Sequence, residues 1–144
     1  MITERMLEQI EIDLHAGPAF TALFKPFFIE EEPMFLLSVI RYKRHPTWDS
    51  CLSIYLKHIR GESDKQANIP SAAKTEIETY IKSWSDRQKG FEAQGVKLHI
   101  GPAKADIFDL AFKDVLGMFT GQLNTNAQQK AVCQQFLTDF HVTG

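Results

Sequence analysis

The sequence predicts one all-α domain, and three observations predict it. Apolar residues recur at helical spacing along most of the chain, beginning with Met6, Leu7, Ile10 and Leu14. Glycine, proline and small polar residues punctuate these stretches at short intervals, with no repeat, low-complexity segment or linker. The one alternating run, Val96–Ile100, is too short to found a sheet and reads as extended chain crossing the surface. At 144 residues the chain is long enough for one real core, so residues 1–144 are expected to form a single domain. Eleven phenylalanines make that core aromatic.

The elements follow in order. Thr3 caps a first amphipathic helix and Gly17 stops it. Pro18 suits the first turn of the next helix, which carries Phe20, Leu23 and Phe24 and ends before Pro26. An acidic turn, Glu30-Glu31-Glu32-Pro33, leads into a helix to about Arg44, with Phe35, Leu36, Val39, Ile40 and Lys43 at helical spacing. Aromatic residues on both sides of this turn, Phe27 and Phe28 among them, are expected to pack and hold it in one place. His45-Pro46 breaks that helix, and Thr47 caps one with Trp48, Cys51, Leu52, Tyr55, Leu56 and Ile59 in a single stripe. After a polar loop, Asn68-Ile69-Pro70-Ser71 forms a second bend, with Ile69 as a buried anchor and Asn68 on display. Ser71 can cap a helix with Ile77, Ile81 and Trp84, with Tyr80 alongside, that can persist through Phe91 to Gly95. Ile107 to Phe119 mark another, ended by Gly121, and Asn124–Asn126 offer a cap for the last.

Composition narrows the function. A net charge of −2 with scattered basic residues argues against a nucleic-acid binder. No apolar run approaches the ~20 residues of a membrane helix, and the N-terminus has no signal-peptide core, so a cytoplasmic location is expected. Cys51 and Cys133 sit in apolar helical patterns and read as free buried thiols. The five histidines lack ligand spacing, and no nucleotide loop, zinc motif or nucleophile elbow is present, so no cofactor, metal or catalytic residue is expected. Glu30, Glu31 and Glu32 read as partners of a helix dipole or as a displayed protein contact, ahead of acid–base catalysts. Arg41–Arg44 read as a solvated helix end.

The stretch Gly17–Arg44, GPAFTALFKPFFIEEEPMFLLSVIRYKR, resembles the central signature of regulator of G-protein signalling (RGS) domains: Gly-x-x-Phe, a Phe and an aromatic, a Glu-Glu-Asn turn, a Phe-Trp helix, then Tyr-Lys. Ile54-Tyr55 with Ile59, Ala67-Asn68-Ile69 with Ser71, and Ile107-Phe108-Asp109 with Ala111 resemble later family motifs, in family order. The resemblance spans about Met6 to Leu137 and implies an all-α bundle of about nine helices. It also implies binding to the switch regions of a GTP-loaded G-protein alpha subunit, which accelerates hydrolysis by positioning the partner's own groups.

By the same resemblance the partner-binding residues are Glu31, Glu32, Pro33, Asn68, Ile69, Met118 and Gln122. Asn68 and Glu31 match the family. Glu32 replaces the turn asparagine, and an ionised carboxylate only accepts where an amide also donates. Met118 stands for a leucine, Gln122-Leu123 for an Asp-Ser pair, and a late arginine falls near Asn126. Lys82–Pro102 reads as an insertion. The expectation is an interaction domain for a protein partner, a G-protein alpha subunit or another GTPase, with weak or absent GTPase-activating activity. A helical scaffold unrelated to GTPases, using Lys82–Pro102 as its surface, is the alternative.

Overall fold

The computed structural model describes residues 2–60, 69–93 and 103–144. They form seven α-helices: α1 (Glu4–Ile12), α2 (Ala16–Leu23), α3 (Glu31–Arg44), α4 (Trp48–Ile54), α5 (Ser71–Ala93), α6 (Asp109–Thr125) and α7 (Ala127–Asp139). A 3-10 turn, Lys25–Phe27, precedes α3, and a π turn, Tyr55–Ile59, continues α4. The architecture is therefore all-α, with seven α-helices among the described residues against an expected nine or so. Among these residues there is no strand, and no helix is long and apolar enough to cross a membrane.

α3 is the axis of the bundle and packs on α1, α2, α4 and α6. Phe35, Leu36, Leu37, Val39, Ile40 and Tyr42 are all buried, so this helix is apolar round most of its circumference. Beside it, Phe20 of α2 and Phe24, the residue that ends α2, meet Phe119 of α6 edge to face at 6.3 and 5.0 Å. Phe136 of α7 joins Phe20 at 5.3 Å. Edge-to-face pairs at these separations add to the stabilisation from burial itself.

Polar contacts fix the helices around this core. Arg41 Nε donates to Glu11 Oε1 at 2.8 Å and Arg44 closes on the other oxygen, clamping α3 to α1 over a carboxylate side chain only 4% exposed. Lys43 bridges to Asp109 at 3.0 Å and to Glu4 at 3.8 Å. Tyr42 donates to the Lys104 carbonyl and the Lys104 amide donates to Tyr80, both at 2.7 Å. Trp48 stacks on Tyr80 and Trp84, at 4.9 and 4.4 Å. The Thr143 amide donates to Gln9 at 3.1 Å, tying the last residues to α1.

Several boundaries differ from expectation. α1 ends at Ile12, because Asp13 accepts from the amides of His15 and Ala16 and so starts α2 early, with Gly17 inside it. These two amides hold the Asp13 carboxyl below its usual range. α6 runs through Gly121 to Thr125, where Asn126 caps α7 by accepting from the Gln129 amide at 3.0 Å. The stripe from Trp48 to Ile59 is not one α-helix, since its last residues form the π turn closed by Arg60 N–H to Tyr55 O at 2.9 Å. α5, by contrast, runs on to Ala93 as its sequence suggests, while residues 94–102 of the expected insertion, Val96–Ile100 among them, lie outside the described residues. Burial pushes the Cys51 and Cys133 thiols up to about 11, as expected of inert buried cysteines.

Phe119→Ala removes the ring that joins α2 to α6, and the expected cost is about 3–5 kcal/mol in urea unfolding. A loss below about 1 kcal/mol would show that these helices are held by other contacts.

Candidate functional site: the α2–α3 bend

The bend begins at a buried anchor. Phe24 is fully buried against Phe20 and Phe119, and its carbonyl accepts from the amides of Phe27 and Ile29 at 3.1 and 3.4 Å. Pro26 sits inside the 3-10 turn, where its fixed φ suits the geometry. The Phe28 amide donates to Lys25 O at 3.1 Å, which closes the turn and leaves Phe28 at φ 59°, ψ 31°. This left-handed conformation is costly for a residue with a Cβ and is normally given to glycine. Phe28 is nonetheless 90% exposed, so no packing among the described residues offsets the cost.

The acidic residues follow at once. Glu31 and Glu32 occupy the first turn of α3, where the helix dipole favours negative charge, and no side chain caps the helix. Glu32 is half-buried and its Oε2 has no hydrogen-bond partner among the described residues. Burial raises its carboxyl above 4.5; its own amide opposes the rise and the charge of Glu31 adds to it.

Two neighbouring elements pack on residues that flank this bend. Met118 and Gln122 lie one turn apart on the exposed side of α6, and Phe119 between them is the residue that grips Phe24. His58, buried in the π turn, meets Phe35 edge to face at 5.8 Å, so the exit from that turn abuts the first half of α3. Ile69 is half-buried and packs on the core as expected of an anchor. Asn68 lies outside the described residues.

Of the expected partner-binding residues, Met118 and Gln122 are exposed and Glu31 is half-buried. Pro33 needs correction: it is buried under the first turn of α3, so it shapes the bend and offers no contact. Phe28 was missed. The sequence reading packs it with Phe27, and no local signal separates the half-buried ring from the exposed one; only the closing geometry of the 3-10 turn does. Among the described residues no group of His, Cys, Asp or Glu could hold a metal ion.

With this geometry in view, the described residues form an all-α fold that displays an aromatic and acidic bend. No family model, no curated protein and no solved structure matches the chain.

The elevated Glu32 carboxyl gives a pH signature. Because the native state holds this proton more tightly than the unfolded chain, stability falls as pH rises from about 4.5 through the native value. Glu32→Gln should therefore raise Tm at pH 7, with the gain shrinking as pH drops below 4.5; an equal gain at all pH values would exclude titration as the cause. Phe28→Gly should raise unfolding free energy by about 1 kcal/mol by relieving the left-handed backbone. A loss instead would mean that the ring is packed.

Proposed function

We propose that the chain is an RGS-like interaction domain that docks a protein partner through the α2–α3 bend, the partner being a G-protein alpha subunit or another GTPase. The observation that carries this reading is Phe28, a large apolar side chain in a costly conformation, exposed beside the acidic start of α3. A local cost that gains nothing inside the fold is common at contact sites. An exposed aromatic next to acidic residues has the composition of an interface anchor. Met118 and Gln122 are exposed on α6, whose Phe119 packs on Phe24, and the order of motifs from Gly17 to Ala111 supplies the partner class.

Activation of the partner's hydrolysis should be weak or absent. Glu32 stands where the RGS signature has an asparagine, and its carboxylate is half-buried and cannot donate. Single-turnover GTP hydrolysis by a panel of alpha subunits should change less than about tenfold, a barrier change below about 1.4 kcal/mol. Binding to at least one activated subunit should weaken more than about tenfold on Phe28→Ala or Glu31→Lys. Full acceleration would overturn the weak-activity reading, and no binding to any GTPase would remove that partner class.

A second reading has one observation in its favour. α5 runs 23 residues without a break, so Lys82–Ala93 extends a helix whose Lys82, Ser83, Asp86 and Arg87 are exposed. A helical scaffold using that surface would lose its partner on shortening α5 and keep it on Phe28→Ala.

A further inference from the structure

The carboxyl of Glu32 is pulled two ways. It lies against its own backbone amide, one of the donors that a helix start leaves without an intrahelical partner, and this contact favours the charged form. Its Oε2 is enclosed and has no hydrogen-bond partner among the described residues, which favours the neutral form. Of the two, burial weighs more. No side chain caps α3, and the next residue, Pro33, has no amide to offer a carboxylate.

The charges nearby do not relieve this carboxyl. Lys25, Glu30 and Lys57 line the groove beside Met34, which is two residues on and so roughly 200° around the helix from Glu32. From the π turn, His58 lies against Phe35. The charge that acts on Glu32 is that of Glu31, and it repels. An ionised Glu32 therefore gains donors by turning its oxygens out to water. Side chains on a helix slant back toward its start, so the tucked carboxyl lies over the approach to α3, and turning it out uncovers that turn.

We propose that Glu32 is a proton-operated latch on the first turn of α3: neutral, it stays tucked and holds the turn closed; ionised, it swings out and lets the turn open. The latch is a property of this chain alone and holds whether or not the bend docks a partner. Linkage sets its direction. The closed turn holds the proton more tightly than the open one, so closure is complete below about 4.5 and is lost as pH rises through the native value. An ordinary carboxylate in a first turn does the reverse, because ionisation strengthens its attraction to the helix dipole. The sign of the pH effect thus separates the two.

Amide hydrogen exchange, read by NMR at pH 4.5 and pH 7 with each rate divided by that of the unstructured chain, tests it. The reporter is the Met34 amide, which donates to the Glu30 carbonyl at 3.1 Å across the first turn. The reference is the Lys130 amide, which donates to the Asn126 carbonyl at 2.9 Å at the start of α7, where the first turn holds no acidic residue. Protection of Met34 should fall at least about threefold from the lower pH to the higher, with Lys130 unchanged. In Glu32→Gln, which is neutral throughout, Met34 should keep the same protection at both pH values. Equal or greater protection of Met34 at pH 7 overturns the latch. So does a fall that Glu32→Gln retains, or one that Lys130 shares.

Discussion

Phe24 is the contact on which the rest depends. Its ring meets α6 through Phe119 and its own helix through Phe20, while its carbonyl takes two amides from the residues that follow. One buried residue thus joins helix packing to the path of the chain outside. With the carbonyl fixed, the 3-10 turn has little freedom in where it closes, and the residue at its end is forced into the left-handed region. The fold therefore determines that something is presented at position 28, and the sequence supplies a phenylalanine there.

The polar contacts around α3 serve the same end. A helix apolar on most sides could rotate or slide in its bed with little change in burial. The buried Glu11 carboxylate with its two arginines, and Lys43 between Glu4 and Asp109, fix register and direction from one end. Removing one member of such a group would leave the others poorly solvated, so its value lies in specificity more than in net stability. At its other end α3 begins with Glu31 and Glu32, next to the displayed ring. The same helix is thus anchored at its C-terminal end and available at its start.

Much of this was legible in the sequence. The all-helical class, the breaks at Pro26 and His45-Pro46, and the caps at Thr3, Thr47 and Asn126 follow from local chemistry that acts within a few residues, and the structure has them. What failed was whatever depended on competition between signals. Gly17 and Gly121 read as stops, but α1 ends before Gly17, which lies in the first turn of α2, and α6 runs on through Gly121. Asp13 captured two amides and moved a boundary that glycine seemed to own. Of the site, Glu31, Met118 and Gln122 came from motif order; Met118 and Gln122 are exposed, Glu31 is half-buried and Pro33 is buried. Phe28 could not be told from Phe27, because which ring of an adjacent pair turns outward depends on the tertiary contact of Phe24, four residues earlier.

The central claim is that a buried Phe24–Phe119 contact holds a bend whose Phe28 ring points into solvent. Aromatic NOE spectroscopy on the protein in solution tests it most directly. The account predicts strong contacts between the Phe24 and Phe119 rings and only sequential contacts for the Phe28 ring. Long-range contacts from Phe28 to core side chains, with none between Phe24 and Phe119, would contradict it.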